Sequence, residues 1–367
     1  MVGWLPMKNL KPLSLVFGIC SCIFLLCWHE HPVAAATTPK AVLLVANQKD
    51  QNVSVIDPAT DRQIAILPED AYTGHEIAAS PDGKTAYVPI YGDSGVGKPG
   101  SDGRTMDVID IASRKVVRTI DFGHGVRPHR VIYYANDGDS DNGLLYVTTE
   151  LDHAVTVVDP HTLKIVGSIP TGQAESHMLA ITRDGRRGYT ANVGPGTVSV
   201  LDLKARKTVA VIPVAQTVQR ISLSNDDKMV FTADYTAPRL AVIDTATNKI
   251  KTWIPLPSIG YGTASTNDGR WLLVAMPSAN QVAVVDLSTL RVARTIDVPA
   301  GPTEILVRPD GARTDGTTDV GTTNNGPVAY VSCGTRGEVA VLDLSNWKVR
   351  TVIQAGKGAD GLAWARF

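Results

Sequence analysis

Aromatic residues make up only 6% of this 367-residue chain, and there are just four cysteines. Three of these, Cys20, Cys22 and Cys27, fall within the first 36 residues, so only Cys333 remains in 37–367 and no intrachain disulfide can form there. A body of that length does not need one, because it buries enough apolar surface to hold a core without cross-links. Basic excess is also missing: 35 Lys and Arg stand against 36 Asp and Glu. That balance excludes the net positive surface on which nucleic acid binding depends. Beyond residue 36 no stretch has the 3.6-residue periodicity of an amphipathic helix. The same region has no CxxCH for covalent heme, no HxH or HExxH, and no GxSxG elbow. The Gly-Val-Gly at 95–97 lacks the strand-to-helix context of a phosphate loop.

The one long apolar run lies at the N-terminus. Lys8 and Lys11 precede an apolar stretch over 13–28, and Ala34, Ala35 and Ala36 follow it as small residues for a signal peptidase. Residues 1–36 therefore read as an export signal, and 37–367 as a single domain that is periplasmic or secreted, with no membrane span after cleavage. The run is shorter than a spanning helix needs. A lipid anchor on Cys22 is disfavoured, because Cys20 and Ile19 stand where a small residue and a leucine are expected.

From there on the chain repeats itself. A Val-(Val/Ile/Leu)-Asp phrase, or a close variant, ends at Asp57, Asp110, Asp159, Asp202, Asp244, Asp286 and Asp343. The spacings are 53, 49, 43, 42, 42 and 57 residues, and the longer ones contain Gly/Asp/Asn/Thr-rich insertions. Before each phrase comes a strand-like stretch such as LLYVTTE, MVFTADY or AYVSCGT, and after it another such as KIVGSIP or KVRTVIQ. Alternating β-branched and polar residues bounded by Pro-Asp-Gly and Asn-Asp-Gly turns signal strands. With a short strand before each turn (HEIAAS, HMLAIT, TEILVR), each unit has four antiparallel strands, here a to d. Seven such units predict an all-β, seven-bladed β-propeller. The first unit opens at its strand b, AVLLVAN, while the terminal GLAWARF matches a strand a, so the C-terminus is expected to complete blade 1 and close the ring.

The repeats resemble those of the YVTN-type β-propeller family, most closely in LYVTTE at 145–150 and SPDGKTAYV at 80–88. The resemblance covers nearly all of 37–367. It implies an exported or cell-surface propeller whose relatives include binding modules, lactonases and cofactor-bearing reductases. The shared motifs are structural and do not choose among these.

In such blades the d-to-a connections and b-to-c loops emerge on one face. Aligning the units puts His75, His129, His177, Gln219, Tyr261, Thr303 and Asp360 at the start of strand a, around one mouth of the channel. His124 and His153 fall on the same face and His161 on the other. Three neighbouring histidines suit a zinc, copper or iron ion, an anion, or acid–base work, and they equally suit a solvated polar rim. Tyr261, Asp360, Arg130 and Glu304 are further ligand-binding candidates. Glu76, Arg130, Arg220 and Glu304 follow ring residues, so strict alternation turns them away from the ring, with Glu76 and Arg130 as an inter-blade ion pair. Asp137, Asp139 and Asp141 resemble the opening of a calcium loop, but Gly143 is one place late and Thr148 replaces the closing Glu. The sequence therefore points to an exported binding or scaffold propeller that receives a small ligand, metal group or protein partner at its histidine-rich mouth. The alternative is a metal-dependent hydrolase or lyase, or a redox-system accessory protein, using the same face.

Overall fold

The computed structural model describes residues 1, 3, 39–135, 143–309 and 326–367. The acidic run at 137–141 and nearly all of the 1–36 segment lie outside them. The chain divides into two units, Met1–Thr38 and Pro39–Phe367, and the second is the propeller. It contains seven four-stranded antiparallel sheets, six formed from consecutive strands. The seventh, blade 1, takes its innermost strand from the C-terminus: Ala359–Arg366 pairs with Ala41–Asn47 from the other end of the chain. Among the described residues the one helical element is the single turn Pro277–Ala279, and no helix is long and apolar enough to cross a membrane.

The local chemistry of the repeat explains these blades. Each recurrent Asp ends strand c and turns its carboxylate onto the backbone of the next turn. Asp57 accepts from the N–H of Ala59 at 2.9 Å, Asp202 from Ala205 at 2.9 Å, and Asp343 from Ser345 at 2.8 Å. A residue near φ +55° then closes the hairpin, as at Asp61, Arg206 and Asn248, and strand d begins. Strand b is buried along nearly its whole length in every blade, whereas strand d is mostly exposed. The core is accordingly a ring of apolar layers between neighbouring sheets, for example Val42, Leu44 and Leu67 of blade 1 against Ile77, Val88 and Ile109 of blade 2.

Strand a is irregular. In blades 1, 3, 4 and 7 its pairing with strand b contains an extra residue, between Ala359 and Leu362, Pro128 and Val131, Ser176 and Met178, and Pro302 and Ile305. Such a bulge breaks the alternation and re-aims side chains. The backbone groups it releases are met by hydroxyls on strand b: Thr148 Oγ1 accepts from Arg130 N–H at 2.8 Å, and Ser332 Oγ accepts from Glu304 N–H at 3.0 Å.

Closure gives a direct test. Deleting 361–367 removes Leu362, Ala363 and Ala365 from the core, and transfer of the Leu362 side chain alone contributes about 2 kcal/mol. It also leaves strand Ala41–Asn47 with an open edge. The truncated protein is expected to melt more than about 5 °C lower or to aggregate, measured by calorimetry and light scattering. An unchanged melting curve would show that this strand does not close the ring.

Candidate functional site

The residues at the start of each strand a do converge on one mouth of the channel, in two layers. The upper layer holds the predicted ring. His129 and His177 lie with ring centroids 3.7 Å apart and their planes tilted by 31°, His75 meets His129 edge-on at 5.3 Å, and Tyr91 stacks on His75 at 4.7 Å. Across the mouth the Tyr261 hydroxyl donates to Gln219 Oε1 at 2.8 Å, and Gln48 Nε2 donates to Asp360 at 2.5 Å. His124 lies farther out, exposed, and pairs with Asp152 at 2.8 Å.

This arrangement differs from a three-histidine metal set. Ligating nitrogens point their in-plane lone pairs at one ion from about 2.0–2.1 Å. Two rings whose centroids are only 3.7 Å apart, tilted by 31°, are too close together for both to do so at a normal ligand angle. Among the described residues no group of three or more His, Cys, Asp or Glu side chains is arranged to hold a metal ion. What orients His177 is Glu150, buried between it and Tyr91: Oε1 lies 2.5 Å from His177 Nδ1, and Oε2 accepts the Tyr91 hydroxyl at 2.7 Å. With Glu150 as acceptor for both, the hydrogen in this bond is carried by His177 Nδ1. His129 Nδ1, also buried, has no hydrogen-bond partner.

The lower layer is a charge cluster across the channel. Arg220, from blade 5, pairs with Glu76 of blade 2, with Glu304 of blade 7 at 2.7 Å and with Asp360 of blade 1 at 2.7 Å. Arg130, from blade 3, pairs with Glu76 at 2.5 Å and with Glu304 at 3.3 Å. The expectation that alternation turns these four away is therefore wrong, and in blades 3 and 7 the strand-a bulge is the reason. In blades 6 and 1 the equivalent positions are Gly262 and Gly361. A Cβ on Gly361 would stand 2.5 Å from the carbonyl oxygen of His75, so only glycine lets the closing strand approach blade 2.

Burial dominates the ionisation of this site. It pushes Glu304 up to about 7, with Arg220 only partly offsetting it, and it also raises Asp360 against the pull of Arg220. Burial would raise Glu76 as well, but Arg220 and Arg130 hold its carboxyl below the ordinary value. His129 is held well below its usual range by burial first, with electrostatic repulsion from the neighbouring imidazoles and from Arg220 and Arg130 adding to it. His75 keeps some solvent contact on the channel wall, yet protein surrounds it and burial lowers it to about 3.

A blade 2 insertion, 93–101, lies over this arc of the ring. Arg127 holds it, with Nε on Asp102 at 2.6 Å and Nη2 on the Lys98 carbonyl at 2.8 Å. Its Gly97 reaches Glu175 at the edge of blade 4. Tyr91, Arg127 and Glu150 were not singled out as site residues by the sequence reading. Tyr91 lies near the end of strand b in blade 2 (Thr85–Gly92) and Glu150 directly follows strand b of blade 3 (Leu144–Thr149), and that shared end of strand b was the available signal. Cys333 is fully buried and burial pushes its thiol up to about 12, which makes it a packing residue. A surface hollow of about 510 Å³ lies elsewhere, lined by turn residues such as Arg183, Asn225, Asp268 and Arg270.

A family model described as the cytochrome D1 heme domain matches residues 138–263, about a third of the chain. No curated protein matches significantly. Among solved structures, hydrazine synthase from Kuenenia stuttgartiensis is 18% identical with a TM-score of 0.66, covering 83% of this chain and 92% of its own. Dihydro-heme d1 dehydrogenase NirN in complex with DHE is 16% identical with a TM-score of 0.58, covering 91% and 78%. At these identities the likeness establishes the β-propeller fold.

The depressed His129 gives a pH test. Its folded value lies below the unfolded one, so the unfolded chain binds the extra proton and stability is lost as pH falls below about 6.5, by up to about 1.4 kcal/mol per pH unit per buried neutral histidine. The melting temperature of His129→Phe, an uncharged ring of similar shape, is expected to fall less steeply between pH 6.5 and 4.5 than that of the wild type. Parallel curves would refute a buried neutral His129.

Proposed function

We propose that this chain is an exported propeller that binds a planar tetrapyrrole non-covalently on its histidine face, as an accessory to a redox system. The observation that carries the reading is the Tyr91–Glu150–His177 chain. A carboxylate on Nδ1 is the usual outer-shell partner of a metal-ligating imidazole, because it fixes the tautomer and raises the basicity of Nε2. The unpartnered Nδ1 of His129 beside it is a second unassigned buried donor or acceptor. The match to the cytochrome D1 heme domain model spans Glu150 and His177, and NirN was solved with DHE. In this reading His177 holds the metal of the ring, and the macrocycle supplies the redox chemistry. His177 is only 3% exposed, so loading requires the mouth to open around it. A metal-dependent hydrolase has no comparable support, since the histidines do not converge.

The experiment is a titration of the full chain with iron protoporphyrin and with a d-type heme, followed by absorbance. Binding with a shifted Soret band is expected, and His177→Ala should weaken it at least tenfold while His161→Ala, on the opposite face, leaves it unchanged. No binding of either tetrapyrrole to the wild type would end this reading.

Export and the finer YVTN-type assignment belong to the same proposal. The basic, apolar and small-residue order of 1–36 supports processing near Ala36. Intact-mass measurement of protein secreted by its expression host is expected to give a chain starting near Thr37 with one free thiol. Retention of 1–36, or a lipid on Cys22, would contradict it.

A further inference from the structure

The charge cluster beneath the histidines leaves one side of an arginine unused. Both ion pairs of Arg130 are made through Nη1. Its Nε is buried and bonds to nothing, and no described residue bonds to Nη2. The Nε–Nη2 edge of a guanidinium is a fork of two parallel N–H donors that matches the two oxygens of a carboxylate. Arg130 is also the most exposed member of the cluster, at 22%, with Glu304 next at 13%, whereas Arg220 and Glu76 are at 2% and 0%.

We propose that this edge of Arg130 is a binding site for the carboxylate of a ligand entering the channel mouth, and that Glu304 takes up a proton from solvent when the carboxylate binds. The inference rests on the reading that the histidine face receives a ligand, and names the acidic end of that ligand. It does not depend on the ligand being a tetrapyrrole.

Charge arithmetic supports the coupling. Two arginines face three carboxyls, Glu76, Glu304 and Asp360, so the fully ionised cluster already carries one excess negative charge. A further carboxylate in a buried site is unfavourable unless one acid is neutralised. Glu304 is the acid placed to accept that proton. Its link to Arg130 is the longest in the cluster, at 3.3 Å, and burial has already raised it to about 7. Glu76 is instead held ionised between both arginines. The groups facing Glu304 are Arg130 from blade 3, Arg220 from blade 5, Glu76 from blade 2 and Asp360 from blade 1, with the Ser332 hydroxyl bonded to its own backbone. A phosphate dianion would add twice the charge and is disfavoured. Atoms balance simply: one carboxylate and one proton enter, and nothing leaves but water.

The test is titration of the full chain with 13C-carboxyl propionate, observed by NMR, at pH 6.0, 7.0 and 8.5. Saturable binding is expected at pH 6.0, with affinity falling about tenfold between pH 7.0 and 8.5, as one linked proton requires. Arg130→Gln should abolish binding. Glu304→Gln should keep binding and make it independent of pH, and this variant decides the matter if Arg130→Gln fails to fold. Absence of binding at pH 6.0, a flat pH profile in the wild type, or an unchanged profile in Glu304→Gln would each overturn the proposal. Because propionate carries no macrocycle, these outcomes are separate from success or failure of the heme titration.

Discussion

Arg220 reaches from blade 5 across the channel to three carboxyls on blades 1, 2 and 7, and much of the inner architecture follows from its being there. A guanidinium that is 2% exposed pays for its lost hydration only if its charge is fully met. The chain must therefore bring acids from distant blades to one point, which requires a narrow channel and inner strands in a fixed register. Removing one partner of such a set typically costs about 3–5 kcal/mol, because the others are left as uncompensated buried charges. The cluster is thus better understood as a device that fixes the relative positions of the blades than as a source of net stability.

That demand explains why strand a departs from ideal geometry. A regular strand alternates, and would present only every second residue to the channel. By inserting one extra residue in blades 1, 3, 4 and 7, the fold brings ring residue and successor into play together, so His129 and Arg130 both serve the mouth. The backbone groups freed by the bulge would be costly if left unpaired. Thr148 and Ser332 meet them, and Thr148 also donates to the His177 carbonyl in the next blade at 2.9 Å. The polar residue in the middle of the otherwise apolar strand b is thereby explained: it supports the neighbouring inner strand.

The repeat, the blade number, the closing C-terminal strand and the ring His75, His129, His177, Gln219, Tyr261, Thr303 and Asp360 were legible because each rests on short-range signals that recur. The Asp that ends strand c and the residue of positive φ after it are local turn chemistry, and their period counts the blades. The charge cluster was misread for the opposite reason. For Arg130 and Glu304 its register depends on bulges that involve pairing between strands, which a one-dimensional alternation rule cannot represent. Tyr91 and Glu150 were missed because they lie at the end of strand b, where the repeat's equivalent residues point into the blade, as Asn192 does in bonding to Ser199 at 2.9 Å. The metal expectation failed at a finer level: the sequence brings three imidazoles together, but whether rings converge or stack depends on rotamers set by Glu150 and Tyr91.

The two faces of the propeller differ in what their polar groups have left to give. Around the hollow of about 510 Å³ on the opposite face, side-chain acceptors and donors are committed to turns: Asp226 to Ser224 at 2.8 Å, Asp268 to Arg270 N–H at 3.0 Å, and Asn225 to the carbonyls of Thr266 and Asn267 at 2.9 and 2.6 Å. A depression lined by satisfied groups has volume but little selective chemistry. At the histidine mouth the balance is reversed: His129 Nδ1, Arg130 Nε and Arg220 Nε are buried without partners. Unmet groups of this kind cost stability in the folded chain, of order 1–3 kcal/mol each, and a ligand or ordered water that meets them recovers part of that cost. The free energy of binding is thus concentrated where the fold has left groups unsatisfied, and the 93–101 insertion held by Arg127 lies over that same arc.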